Sequence, residues 1–406
     1  MISLNFHRSF QGIYKLLVGK KKKKTEMKIS ELTLAMIHAA KKGSNIAMII
    51  RSKDALLRLL VEEKTGNQKN VRFVQDFKTL ADVLIQETVR YDLDQKFPGL
   101  GKNLYGEESN KFTNALGETI CVTIEPDQEK NVELLGQVLH GNHEAAHLLA
   151  QAISSQPESA NNPLLDQVLD EIELDKVRIW IDPIDSTAQY IQAAESKADE
   201  HNVISEGLQC VSVLIGVYDV QTGLPIIGVA YQPFHHQEDD GWKSRYIWGI
   251  CYGDTKVHFF SDKEDSKESG NNVIVTSSSE DQRIQEKLKE TFSLCYAAGA
   301  GYKALCVLDD KVDAYLVSKG STYHWDTCGL HAILMAMGGG IASYKDCVTD
   351  LNRDPDLQQI RYNISTEVPT SGIDQWCNSN GVIVYKEPRI LQKLQKLLAT
   401  TGPTQL

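Results

Sequence analysis

Two aspartates three residues apart, in the run Asp182-Pro183-Ile184-Asp185-Ser186-Thr187, give the chain its strongest chemical signal. Apolar and aromatic residues alternate into this run from Val177 to Ile181 as they would in a strand, and Pro183 is expected to stop the ladder because it has no N–H to donate. The first carboxylate then sits at a strand end and the second in the turn that follows. Acids so placed can share one hard cation, with the freed carbonyl of Ile184 as a further oxygen ligand. A helix starting just behind them would aim the Ser186 and Thr187 amides at an anion. The same residues also spell an ordinary Asp-Pro turn with a Ser or Thr cap. Acids elsewhere must separate the two readings.

Three further sites supply such acids. Gly106-Glu107-Glu108-Ser109 follows Leu104-Tyr105, which suggests an ordered strand rather than a loose acidic tail; adjacent carboxylates repel unless solvated or neutralised by a cation. Asp326, in Trp325-Asp326-Thr327, precedes a helical run from Leu330 to Met337. Asp76 lies where another helix would begin, with Lys78 and Thr79 after it and Asp82 six residues on. Taken singly, each reads equally as a turn or a helix cap. If they converge, they build a cavity for two or three metal ions.

Other polar residues carry weaker signals. Ser277-Ser278-Ser279-Glu280 looks like a helix entry whose hydroxyls could contact a polyol or phosphate, or could simply cap. Gly299-Ala300-Gly301-Tyr302-Lys303 would let backbone approach a phosphate beside a cation, yet it matches neither a Walker motif nor a dinucleotide fingerprint, and Lys303 can equally be a solvated surface lysine. His140, His143 and His147 read as helix-surface residues, and His235 and His236 as exposed in a polar loop.

The elements that must position these groups follow from periodicity. A helical stripe runs from Ser30 to about Glu63, with Gly43 a possible interruption, and another passes through Leu80, Val83, Leu84 and Ile85. Strand patterns at Leu208 to Asp219, Leu224 to Gln232 and Tyr246 to Tyr252 suggest a broad antiparallel sheet flanked by helices. Beyond the polar stretch Ser261 to Asn272, alternating strand and helix patterns suggest a smaller α/β domain. The organisation expected is a basic, disordered extension over 1–26, an α+β domain over 27–265 and an α/β domain over 266–406.

Composition bounds the function. At 406 residues, with 42% hydrophobic and 24% charged residues, the chain is a soluble globular protein large enough for two domains. A net charge of -11 argues against binding a nucleic-acid polymer, while leaving small anions open if bound metal reverses the local field. The eight cysteines are scattered singly, which fits reduced thiols in the cytoplasm. No apolar run approaches the roughly 20 residues that stable membrane insertion needs.

In this order Asp76, Gly106-Glu107-Glu108-Ser109, Asp182 through Thr187 and Trp325-Asp326 closely resemble the lithium-sensitive, magnesium-dependent phosphomonoesterases of the inositol monophosphatase/fructose-1,6-bisphosphatase-like family. The resemblance covers nearly all of the chain after Met27, and it implies an α/β/α/β/α layered sandwich. It further implies that Glu107, Asp182 and the Ile184 carbonyl bind one Mg²⁺, that Asp182, Asp185 and Asp326 bind a second, and that Glu108 and Asp76 belong to an acidic shell around a weaker third. Thr187, coupled to Asp76, would accept or relay the proton of an attacking water, while the Ser186 and Thr187 amides hold phosphoryl oxygens. Lys303, Ser278 and Glu280 would face the rest of the substrate. Many relatives have Gly where this chain has Ser186. The reaction implied is lithium-inhibited removal of the 1-phosphate from inositol 1,4-bisphosphate and inositol 1,3,4-trisphosphate by a monomer. Two alternatives stay open: a 3'(2'),5'-bisphosphate nucleotidase, and an inositol-phosphate-binding protein without catalysis.

Overall fold

The strand that carries the two aspartates runs from Val177 to Asp185, through Pro183 rather than only up to it. Its register against the next strand slips between Asp182, opposite Leu214, and Asp185, opposite Ser212, so one extra residue is accommodated there. A bulge leaves a position outside the ladder, which is where a residue without an N–H can sit. The expected break is therefore a kink, and both carboxylates remain on one element.

The computed structural model describes residues 26–66, 69, 76–156, 162–262, 272–351, 355–363 and 372–399. The expected extension over 1–26 lies outside these residues apart from Glu26, which opens a short strand, Glu26–Lys28. The expected domain boundary at 265/266 lies outside them altogether.

Counting only the two main sheets, the first has six strands: β1 (Leu104–Gly106), β2 (Val177–Asp185), β3 (Ser212–Asp219), β4 (Pro225–Glu238), β5 (Gly241–Tyr252) and β6 (Thr255–Phe260). They lie side by side in chain order, antiparallel except for the parallel β1/β2 pair. The second sheet holds β7 (Val273–Thr276), β8 (Ser293–Tyr296), β9 (Ala314–Val317), β10 (Gly340–Ser343) and β11 (Val382–Tyr385), ordered β8-β7-β9-β11-β10.

Helices complete the layers. α1 (Ile29–Arg51) and α2 (Leu80–Lys96) share the large apolar core on one face of the first sheet. α1 passes through Gly43 without interruption, and the glycine is there because it lies against Ile85 of α2, where a larger residue would collide. A further short helix, α3 (Thr187–Gln192), starts directly behind the two aspartates. Between the sheets lie α4 (Ala300–Leu308) and α5 (His324–Ala336), and the helices Gln282–Lys289 and Pro388–Leu398 cover the far face of the second sheet. The order of layers is α/β/α/β/α, as expected.

One contact fixes the height of α5. Gly216 of β3 and Gly228 of β4 meet the backbone of Gly329 so closely that a methyl at either position would collide with it. A helix can sit this low on a sheet only where side chains are missing on both partners. Asp326, one turn before Gly329, is thereby brought down to the end of β2.

Candidate active site

Asp182, Asp185 and Asp326 come from β2 and α5, and one carboxylate oxygen of each lies within 4.8 Å of the others. Asp182 Oδ1 accepts the Ile184 amide at 3.1 Å, which fixes the kink around it. Asp185 Oδ2 accepts the Gly301 amide from the first turn of α4 at 3.1 Å and the Ser212 hydroxyl at 3.4 Å. Asp326 Oδ2 accepts the Tyr323 amide at 2.7 Å, so α5 begins at His324, earlier than the sequence pattern suggests.

These groups cannot all ionise unaided. Burial, then the charges of Glu107, Asp185 and Asp326, push the Asp182 carboxyl well above the usual carboxylate range. Burial and Asp185 do the same to Asp326, and burial raises Asp185 to about 6 although Lys303 and the Gly301 amide oppose it. A nest of buried, mutually repelling oxygen donors has the donor chemistry of a site for a hard divalent cation. The residues therefore fit the metal that the sequence pattern calls for.

A second group of charges adjoins the first. Lys64, which sequence reasoning missed, places its Nζ 2.5 Å from Glu107 Oε1, 2.6 Å from Glu108 Oε1 and 3.8 Å from Asp76 Oδ1. Burial pulls the lysine pKa down, but the three carboxylates outweigh it and hold Lys64 well above its ordinary value. Glu107 and Asp76 line the cleft. Glu108 turns to Lys64 instead, its backbone clasped by Gln86 at 3.1 and 2.5 Å, and burial raises its carboxyl to about 8. Nothing local to Lys64 marks it in the sequence, since its partners lie 12 to 44 residues away.

The expected pairing of Thr187 with Asp76 is corrected. Thr187 Oγ1 lies 3.3 Å from Asp82 Oδ1 and 3.1 Å from the Ile184 carbonyl oxygen. The other oxygen of Asp82 accepts the Thr79 amide at 2.7 Å and its hydroxyl at 2.6 Å. Burial raises the Asp82 carboxyl to about 6. The signal was present as the capping box Thr79-x-x-Asp82, whose acid is fully buried and thus differs from an exposed cap.

The cleft has a volume of about 720 Å³ and is lined by Asp76, Glu107, Asp182, Ile184, Asp185 and Asp326 on one side. Ser186, Thr187, Ser278 and Lys303 line it elsewhere. Ser186 adopts a left-handed backbone (φ 73°), a conformation that glycine reaches at lower cost. Lys303 is buried rather than a surface lysine: its Nζ donates to the Ala297 carbonyl at 3.1 Å and sits 5.1 Å from the Tyr315 ring centroid, and burial lowers its pKa. Glu280 does not reach the cleft wall. Its carboxylate is held by the Ser318 amide at 2.8 Å, by the Ser318 hydroxyl and by the Asp281 amide at 2.7 Å, which anchors the Ser277–Ser279 turn.

Fold and site together define a class: a layered α/β/α/β/α protein with an all-oxygen carboxylate nest for divalent metal where the two sheets meet. Residues 29–375 match the model of the Inositol monophosphatase family, and the chain belongs to that family. The mouse protein named inositol polyphosphate 1-phosphatase is 41% identical over 398 residues, spanning 93% of this chain and 99% of its own. Human 3'(2'),5'-bisphosphate nucleotidase 1 is 25% identical over 312 residues, spanning 76% of this chain and 82% of its own. The crystal structure of an IMPase/NADP phosphatase complexed with NADP and Ca²⁺ superposes with TM-score 0.52 at 13% identity, over 93% of this chain and 99% of that one, a likeness of fold alone. Among the described residues no helix is long and apolar enough to cross a membrane.

Proposed function

We propose that the chain hydrolyses the 1-phosphate of inositol 1,4-bisphosphate and inositol 1,3,4-trisphosphate in a Mg²⁺-dependent, Li⁺-sensitive reaction. The observation that carries this reading is the 41% identity to mouse inositol polyphosphate 1-phosphatase along essentially the whole of both chains. Glu107, Asp182 and the Ile184 carbonyl would hold one ion, and Asp182, Asp185 and Asp326 another, with Asp76 and Glu108 available to a third. Bound there, Mg²⁺ lowers the pKa of the attacking water and stabilises the leaving oxygen.

The side chains do the rest. The ionised Asp82 carboxylate accepts the Thr187 hydroxyl proton as Thr187 Oγ1 takes one from the attacking water, so that the proton finishes on Asp82 and the threonine stays neutral. The amides of Ser186 and Thr187 orient phosphoryl oxygens, and the buried Lys303 cation contacts a second phosphate or the ring. Ser278 offers a hydroxyl on the facing wall. Glu280 acts only by holding that turn. No covalent phosphoenzyme is required. A monomer acting in the cytoplasm completes the reading, the cytoplasm supported by cysteines scattered singly along the sequence.

The 25% identity to the human nucleotidase keeps hydrolysis of the 3'-phosphate of adenosine 3',5'-bisphosphate as a second reading. Phosphate release from inositol 1,4-bisphosphate, inositol 1-phosphate, fructose 1,6-bisphosphate and adenosine 3',5'-bisphosphate, each with Mg²⁺ and with or without Li⁺, separates them. Preference for the first supports the proposal, and preference for the adenosine compound replaces the substrate. Ligand binding with no release from any compound would leave a binding protein.

A further inference from the structure

The strand β4 outruns its neighbour β3 and continues with β5 as a two-stranded ribbon: pairing with β3 ends at Tyr231, while pairing with β5 continues to Glu238. On this overhang the register slips. Gln232 faces Arg245 and His236 faces Lys243, so four steps along β4 match two along β5. Adjacent strand residues normally point to opposite faces, and a bulge re-aims one of them. Here the rings of His235 and His236 meet, with centroids 5.3 Å apart and planes at 79°. Asp262 comes to the same place from the end of β6. The preceding residue is pinned both ways to β5, Ser261 N donating to the Tyr246 carbonyl and Tyr246 N to Ser261 Oγ, each at 2.9 Å.

We propose that His235, His236 and Asp262 form a second metal site, for a zinc-class transition ion. One ligand atom of each lies within 4.8 Å of the others. His235 Nε2 and Asp262 Oδ2 are 3.7 Å apart, too far for a strong hydrogen bond but close to the roughly 3.4 Å edge of a tetrahedral zinc site. His236 Nε2 lies 2.9 Å from Glu238 Oε1, the carboxylate support typical of a ligating imidazole, which leaves Nδ1 for the ion. Two imidazoles with one carboxylate favour Zn²⁺, Cu²⁺ or Ni²⁺, whereas the all-oxygen nest favours Mg²⁺. His235 is largely buried while His236 and Asp262 are exposed, so one side stays open for water.

Nearby cations are already neutralised. Arg245 forms a two-pronged pair with Asp309, at 3.0 Å in one arm, and Lys243 lies 2.8 Å from Asp240. Among the described residues this is the one candidate metal cluster that contains nitrogen donors. Binding would staple the overhanging ribbon to the end of β6.

The test uses the full, untagged chain. Zn²⁺ binding by equilibrium dialysis should show one equivalent retained against excess Mg²⁺ in wild type and in Asp182→Asn. The same equivalent should weaken by at least about tenfold in His236→Ala, an exposed position where an unchanged circular-dichroism melt confirms folding. Stoichiometric Cu²⁺ should give an electron paramagnetic resonance spectrum split by two imidazole nitrogens, a signature that the carboxylate nest cannot produce. Undiminished Zn²⁺ binding in His236→Ala, absence of a retained equivalent in wild type, or a Cu²⁺ spectrum without nitrogen coupling would each overturn the site.

Discussion

Thr187 Oγ1 and Asp82 Oδ1 lie 3.3 Å apart, joining the start of α3 to the first turn of α2 across 105 residues of sequence. Asp82 can take up the Thr187 proton only while ionised, and burial raises its carboxyl to about 6. Thr187→Val and Asp82→Asn should each lower kcat by about 10² to 10⁴-fold, the range of a lost general base, while Thr187→Ser keeps most of it. In wild type, kcat at saturating Mg²⁺ should rise with pH through about 6 as the carboxyl loses its proton. The same acidic limb persisting in the residual activity of Asp82→Asn would place the titrating group elsewhere.

Asp182 stands in both proposed ion sites. Losing a residue that merely supports a ligand costs about 10 to 100-fold, so removing the shared ligand itself should cost no less than about 100-fold. Asp182→Asn should therefore lose Mg²⁺-dependent turnover yet melt near the wild-type temperature without metal, because an uncharged amide replaces a carboxyl that burial already holds toward its protonated form. A folded variant with near-normal activity would remove Asp182 from the ligand set.

The carboxylates of this site were legible only as a set: singly each read as a turn or a cap, their order resembled that of the family, and Asp182, Asp185, Asp326, Glu107 and Asp76 all line the cleft. Periodicity showed a broad antiparallel sheet flanked by helices and a smaller α/β unit, while the α/β/α/β/α layering followed from the resemblance to the family. Lys64 was not, because the burial that makes it a counter-charge is created by residues far along the chain. Thr187's partner was misjudged between two aspartates six residues apart. Periodicity places both near one helix start but does not say which is inside, and the structure turns Asp82 inward while Asp76 lines the cleft. Pro183 was read as a strand stop, because a bulge depends on the neighbouring strand, which the local sequence does not contain.

Metal-free stability should fall as pH rises toward 8. Asp182, Asp185, Asp326 and Glu108 all have folded-state values above the ordinary carboxyl value near 4, with Asp185 at about 6 and Glu108 at about 8. In the folded state these carboxyls bind more protons than in the unfolded one, so their contribution to stability is lost toward pH 8, while the half-buried His38 and the buried His324 and His331, whose values burial lowers, act in the opposite sense only below about 6.5. The Tm of EDTA-treated protein should therefore drop between about pH 6.5 and pH 8, and added Mg²⁺ should raise Tm more at pH 8 than at pH 6.5. A Tm that is flat with pH in EDTA would contradict this.

Lys64 should matter most without metal. Its loss leaves Glu107, Glu108 and Asp76 facing one another at a buried position, and breaking such a pair costs about 3 to 5 kcal/mol. Lys64→Met should therefore unfold at markedly lower denaturant in EDTA at pH 8. The deficit should shrink at pH 5.5, where Glu108, with its raised value of about 8, takes up a proton. An equal deficit at both pH values would mean that lost packing, rather than lost charge, is responsible.

Gly228 lies far in sequence from every residue of the carboxylate nest, yet it should control that metal site. A methyl there meets the Gly329 backbone, so Gly228→Ala must lift α5 or push β4 aside, and such overpacking costs about 1 to 3 kcal/mol. Lifting α5 carries Asp326 away from Asp182 and Asp185, whereas Glu107 and Asp76 on other elements stay in place. The variant should accordingly lose Mg²⁺ affinity beyond what its stability loss explains. An alanine at Gly253, a turn position with open space around it, should lower stability without that loss. Titrating Mg²⁺-dependent activity in both variants at a temperature where each is fully folded checks the claim. If Gly228→Ala keeps wild-type Mg²⁺ affinity, then the close packing of α5 on the sheet does not set the position of Asp326.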